Sequence, residues 1–327
     1  MVRFMRNCIS RFTAVLSRFV GCARACILAL CLVLVAAAAQ AQSVTLHVDG
    51  DDGLATPTGN EPGETWENAY LYLLDAIDRA ESMLTADPPE ATDVEIWVKA
   101  RANSAAYYPD QSAAAPDGSC DQSCDCDREA SFLLLSHVEL RGGFDGTEED
   151  ADEADPDLNR TILSGDLCGN DNLAEFLSGD YSSYEDNSLH VVLGDGADDS
   201  ARIDGFTITA GNADVSAGVV YGGGILLEHS VEEAGPGARI SRCVFEYNLS
   251  SRCGGALYCS YAPTEVRHCL FYENRTGDPE GVSMGGAAAA MTGLPGTVFV
   301  DCDFIANRDL ASSGQNSGTG ARLCRAE

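Results

Sequence analysis

Three aspartates packed into HVDGDDG, residues 47–53, form the first group whose types and spacing could do chemistry. Asp49, Asp51 and Asp52 offer hard oxygen ligands beside glycines that let a loop fold around Ca2+. Their spacing misses the D-x-D-x-D-G calcium pattern, and no glutamate follows where a bidentate ligand would sit. A solvated acidic turn is therefore the alternative. A second group is sulfur: Cys120, Cys124 and Cys126 form a C-x3-C-x-C cluster in the loop between Tyr107 and Arg128. With no histidine or fourth cysteine at zinc spacing, disulfides pinning a long loop fit better than a soft metal. Cys168, Cys253 and Cys259 join them as disulfide candidates, with pairings that sequence does not name.

The remaining candidates are carboxylates, arginines and histidines. The acidic run TEEDADEADPD, residues 147–157, reads as a solvated loop. Arg202 and Asp204 alternate around Ile203 and so share one strand face as a surface ion pair; Asp301 and Asp303 flank Cys302 and so share an outward face as a carboxylate pair, resembling glycosidase or calcium chemistry in type only. His190, His229 and His268 lie in different strands with no shared spacing and read as rim residues. No G-x-S-x-G elbow, P-loop or H-E-x-x-H motif occurs, which leaves nucleophilic and metalloprotease mechanisms without support. Catalytic residues stay unknown at this stage.

The whole chain has 327 residues and a formal charge of −31. Arg3, Arg6, Arg11, Arg18 and Arg24 precede an apolar run from Ala25 to Ala38 and a small-x-small Ala39-Gln40-Ala41 site, the pattern of a cleaved secretory signal over residues 1–41. The run is shorter than a membrane-spanning helix needs, so no span is expected after cleavage. Without those five arginines, 15 basic residues face 51 acidic ones. Such a balance excludes nucleic acid as a partner and suits divalent cations, although no cofactor is required. Ten of the 14 cysteines fall in the exported part, in keeping with an oxidising setting.

Different elements must position these groups along the chain. SVTLHVDG and VEIWVKA alternate like strands. Between them, Trp66, Ala69, Tyr70, Leu73, Leu74, Ile77 and Leu84 share one helical face, with Thr65 as the N-cap. Residues 42–130 thus form an N-terminal cap with the first strands and the cysteine-rich loop. After Ser131 the pattern changes to short apolar strands broken by glycine and aspartate, without persuasive helical periodicity, out to about residue 310. Residues 311–327 read as an irregular tail.

A repeat selects the architecture. Phe245, Phe271 and Phe304 stand 26 and 33 residues apart, each followed three places later by Asn248, Asn274 or Asn307 and preceded two places earlier by Cys243, Cys269 or Cys302. Glycine pairs at Gly223-Gly224, Gly254-Gly255 and Gly285-Gly286 recur every 31 residues. Strand content at such a period indicates a coiled stack, one repeat per turn. Equivalent residues then lie one above another at the interstrand spacing of about 4.8 Å. The phenylalanines should form an inward column, the asparagines an amide ladder at a corner, and the three cysteines an inward column of buried thiols, although a disulfide between adjacent turns fits the distance.

The alternation of GG-I/A with F-x-x-N resembles the repeat of the polymorphic outer membrane protein family. TWENAYLYLLDAI, VEIWVKA, VELRGGFDGTEED, TILSGD and IDGFTITAGNA resemble the N-terminal half of large secreted proteins of the pectin-lyase-like superfamily. Together these resemblances span nearly the whole exported chain. They imply an all-β, right-handed parallel β-helix with an N-terminal cap containing one amphipathic α-helix. They also imply extracellular or outer-cell-surface residence, with a structural or adhesive role and polysaccharide or cell-surface glycan as partner. Some relatives sharing the coil are polysaccharide lyases or glycoside hydrolases, so a calcium-dependent enzyme is the alternative. Its mark would be an Asp/Glu cluster and an arginine converging on adjacent turns of one face. Family members usually continue for more turns, so a truncated product, or an inert fragment of a larger adhesin, is a further expectation.

Overall fold

The structure, a computed structural model, describes residues 42–54, 63–121, 123–214, 221–277, 286–293, 296–310 and 321–323. The expected signal segment and Gly285 lie outside these residues. Among the described residues no helix is long and apolar enough to cross a membrane.

Short β-branched and aromatic runs between glycine and aspartate turns make strands of two to nine residues that stack into four parallel sheets. The first sheet has seven strands: Gln42–Val48, Ala91–Lys99, Val138–Phe144, Arg202–Asp204, Arg239–Ser241, Glu265–Arg267 and Val298–Val300. The second has six and includes Phe206–Thr209, Val244–Glu246, Leu270–Tyr272 and Asp303–Ile305. The third, also of six, includes Val192–Asp195, Ile225–Glu228, Leu257–Ser260 and Ala289–Thr292. The fourth consists of four two-residue strands, from Asn212–Ala213 to Arg308–Asp309. From Arg202 onward, strands of the first, second, fourth and third sheets follow one another in chain order and then repeat. The result is an all-β parallel solenoid arrangement.

Register explains the repeated letters. Phe245 pairs with Phe271, and Phe271 with Phe304. Their rings stack at 4.6 and 4.8 Å, within 7° of parallel. Ile203, Ile240 and Val266 from the first sheet and Leu227 and Leu257 from the third complete the same core. Cys243 and Cys269 are buried free thiols on successive turns, and Cys302 is a half-buried one.

Corners are built by residues with positive φ. Gly205, Arg242, His268 and Asp301 turn the chain before the second sheet, and Ala210, Tyr247, Glu273 and Ala306 turn it afterwards. Only glycine adopts this backbone without cost, so the other seven need compensation. After the second corner the compensation is the asparagine ladder. Asn248 Oδ1 accepts from the Gly211 amide at 3.0 Å. Asn274 Oδ1 accepts from the backbone N–H and Nδ2 of Asn248 at 3.1 and 3.0 Å. Asn307 Oδ1 does the same for Asn274, at 3.0 Å each. The Nδ2 groups of Asn248, Asn274 and Asn307 also donate to the carbonyls of Ile208, Phe245 and Phe271 at 2.8 to 2.9 Å.

Two helices depart from the sequence expectation. The amphipathic helix spans Leu73–Thr85, not the stretch from Trp66 onward, and Thr65 makes no side-chain cap. Tyr70 instead makes strand-like bridges to Val48 and Leu54, which takes its backbone out of any helix. Trp66 lies in a single 3-10 turn and packs against His47 and Phe144. Leu73, Ala76, Ile77, Ala80 and Met83 are the buried face. A second helix, Leu173–Ser178, starts at Asn172, whose side chain accepts from the amides of Ala174 and Glu175, and ends at Gly179 with φ 95°. In the tail, which reads as irregular, Ala321–Leu323 pairs in parallel with Ala289–Thr292.

Replacing Asn274 by leucine keeps the branching and heavy-atom count but removes the acceptor of two Asn248 donors and the Nδ2 bonds to Phe245 and Asn307. We expect unfolding in denaturant to show a loss of roughly 3–5 kcal/mol. A loss below about 1 kcal/mol would mean that the ladder contributes little to stability.

Candidate functional site

Strand alternation puts Ile96, Leu140, Ile203, Ile240 and Val266 of the first sheet into the core, which turns their neighbours outward. Glu95, Glu139, Arg202, Arg239 and Glu265 align in one outer column. Trp97, Arg141, Asp204, Ser241 and Arg267 align in a second. Arg242, at the corner, reaches back onto this face. A shallow cleft of about 400 Å3 is lined by most of these residues together with His268.

Ion pairs knit the face across turns. Arg242 grips Asp204 with both Nε and Nη2, and Ser241 Oγ donates to the same carboxylate at 2.7 Å. Hydrogen bonding to Asp204 outweighs desolvation and raises the Arg242 pKa above its usual value. Glu139 sits between Arg141 and, at 3.7 Å, Arg202. Arg267 pairs with Glu265, and Arg239 with Asp199 at 3.0 Å. Arg202 and Arg239 are register partners on adjacent strands, with side chains 47% and 44% exposed. Two like charges stacked this closely repel unless an anion lies between or beside them.

Arg202 and Asp204 therefore share a face, as their alternation requires, but pair with Glu139 and Arg242 and not with each other. Sequence reasoning passed over Glu139, Arg141, Arg239, Arg242, Glu265 and Arg267. A signal for all but Arg242 is present in the triplets ELR, RID, RIS and EVR, a polar or charged residue on each side of one inward aliphatic, recurring before the F-x-x-N repeat. Each triplet is short enough to pass as noise until its strands are aligned.

The aspartates near the N-terminus face protein partners. Asp49 Oδ2 accepts from Lys99 Nζ at 2.7 Å, and its Oδ1 caps the amides of Asp51 and Asp52. Burial alone would raise the Asp49 pKa, but these donors outweigh it and hold the carboxyl below its ordinary value. Asp51 accepts from the Ala102 amide and faces Arg101. Next to this loop, Tyr72, Tyr107, Tyr108 and Arg101 line a second cleft of about 390 Å3.

Among the cysteines, Cys120 bonds to Cys126 and Cys124 to Cys168, which staples the long loop to the segment after Thr161–Ser164. Cys253 is disulfide-bonded. Cys259, a disulfide candidate in sequence, is a buried free thiol. It points into the core from Leu257–Ser260, beside Thr264 Oγ1 at 3.6 Å, and burial pushes its pKa up to about 11. His190 and His229 are buried, not on a rim: their rings contact the carbonyls of Gly222 and Ala197 at 2.8 and 3.0 Å. Burial lowers the His190 pKa. His268 is exposed beside Asp301.

Comparison with protein-family models, with curated proteins and with solved structures finds no match for this chain.

Removing the carboxylate in Asp204→Ala leaves Arg242 and Ser241 without their acceptor, at a cost of roughly 2–3 kcal/mol. Glu265→Ala, in an exposed pair, should cost less than about 1 kcal/mol, so thermal unfolding of both variants checks the ranking. Alkylation of the native chain followed by mass mapping should label Cys302 and spare Cys243, Cys259 and Cys269. Labelling of Cys269 at the rate of Cys302 would contradict the buried thiol column.

Proposed function

We propose that this chain is an exported right-handed parallel β-helix that serves outside the cell, or on its outer surface, as a structural and adhesive scaffold. We further propose that the outer face of its seven-stranded sheet contacts acidic glycans. The right hand follows from the general handedness of crossovers between parallel strands in one sheet. Export rests on the signal-like residues 1–41 and on the disulfides of the Cys120–Cys126 region.

One observation carries the binding reading. A chain of formal charge −31 gathers five arginines, Arg141, Arg202, Arg239, Arg242 and Arg267, on one face and stacks two of them in register. Guanidinium groups accept carboxylate or sulfate oxygens in a bidentate fork. A polymer with an anion on each sugar would meet successive turns of the coil with successive charges and exchange with Glu139 and Asp199 as partner of Arg202 and Arg239.

A second reading, a calcium-dependent polysaccharide lyase or glycoside hydrolase, is favoured by the presence of Glu139 and Asp204 on adjacent turns of that same face, with Glu265 two turns beyond Asp204. Against it, all three carboxylates are engaged by arginine, so none is free to hold calcium against a substrate acid group.

Retention of the chain on polygalacturonate or alginate gels distinguishes these readings. We expect binding that weakens with added salt and is lost in the Arg202→Ala/Arg239→Ala double variant. Failure to bind any acidic glycan at low salt sinks the proposal. Sustained release of unsaturated ends, abolished by chelator, would replace it with the lyase.

A further inference from the structure

A cluster of carboxylates lies away from the arginine face. The loop after Thr161–Ser164 carries Asp166, Asn170 and Asp171, and the turn before His190 carries Asp186 and Asn187. No lysine or arginine forms an ion pair with Asp166, Asp171 or Asp186 among the described residues. Asp186 is 8% exposed and Asn187 is fully buried. The two segments touch through their side chains: Asn187 Nδ2 donates to Asp171 Oδ2 at 2.9 Å, and Asn170 Nδ2 to Asp186 Oδ1 at 3.3 Å.

Oxygens left over at this contact are the informative feature. Asp171 Oδ1, Asp186 Oδ2 and Asn187 Oδ1 are all buried and without a hydrogen-bond partner. An orphaned buried oxygen costs free energy, and an unpaired buried carboxylate costs more. Three such oxygens on two segments joined by their side chains, two of them from carboxylates, offer a place where a cation would be satisfied.

We propose that Asp166, Asp171, Asp186 and Asn187 form a calcium site that clamps the loop of residues 166–172 to the turn of residues 184–188. The ligand set suits a hard cation of flexible coordination: carboxylates and an amide oxygen. Thiolate chemistry is closed here, because Cys124 and Cys168, whose sulfurs lie within 4.8 Å of an Asp186 oxygen, are tied to each other. Asp166 itself accepts from the Asn170 and Asp171 amides, and calcium would draw its carboxylate toward the other two. Through the Cys124–Cys168 bond the clamp also tethers the cysteine-rich loop. This site is separate from the Asp49, Asp51 and Asp52 loop, whose Asp49 and Asp51 carboxylates face Lys99 and Arg101.

Tyr184, whose carbonyl accepts from the Asn187 amide at 3.3 Å, stands beside the site and serves as the optical donor. We therefore test the full chain with Tb3+, reading tyrosine-sensitised emission, and then with Ca2+ as competitor at moderate salt. Saturable emission displaced by Ca2+ with an affinity of about 10⁻⁴–10⁻³ M or tighter is the expected result. Asp171→Asn and Asp186→Asn should each weaken binding at least about tenfold, while Asp152→Asn in the exposed acidic run leaves it unchanged. In chelator, Asp171→Asn should melt above the parent chain, since it removes a half-buried carboxylate that no lysine or arginine neutralises; with Ca2+ the order should reverse. Should a variant fail to fold, emission and calcium-dependent melting of the parent chain still decide. No saturable emission from the parent chain, or equal binding by both asparagine variants, overturns the site.

Discussion

The structure depends on one constraint: each side chain must tolerate its equivalent on the next turn, directly above it at the spacing of paired parallel strands. Phenylalanine satisfies this by ring stacking, as the Phe245, Phe271 and Phe304 rings do. Asparagine satisfies it because its amide is both donor and acceptor, so each Asn can receive from one neighbour and give to the other. Asn274 leaves no polar atom idle. A serine, an aspartate or a leucine in its place would break the chain of bonds in at least one direction. The ladder also supports corners at Tyr247, Glu273 and Ala306, whose positive φ would otherwise strain the turn.

The same constraint is harder on charge. Like charges stacked in register repel, so outward columns alternate sign or borrow partners from the side. Glu139 above Arg202, Asp204 beneath Arg242 and Asp199 beside Arg239 are such solutions. At Arg202 and Arg239 two like charges remain in register, balanced by Glu139 on the preceding turn and by Asp199 from the side, and the proposed glycan contact begins there. At the loop contact around Asp171 the carboxylates gather without a lysine or arginine partner among the described residues, and the proposed calcium supplies the positive charge.

How much was legible in the sequence varied with the locality of the signal. The Phe, Asn and Cys columns could be read from spacing, because a parallel stack converts period into position. The Cys120, Cys124 and Cys126 cluster announced disulfides but not partners: Cys124 joins Cys168, 44 residues on, and no local pattern selects that pairing. Helical periodicity misplaced the start of Leu73–Thr85, since the backbone of Tyr70 was claimed by Val48 and Leu54 from other parts of the chain. Helix Leu173–Ser178 was overlooked although Asn172 and Gly179 mark its ends, because six residues show too little periodicity to stand out.

By itself the sequence determined the all-β class, the stacked turns and the identity of the inward columns, since these follow from alternation and from a repeat written along the chain. Only the tertiary structure decided which outward residues meet. Arg202 and Arg239 are 37 positions apart, and Asp171 and Asn187 are 16 apart, yet each pair is in contact or in register. Such neighbours are set by the length of the loops between strands, and loop length carries no periodic trace that residue type could reveal.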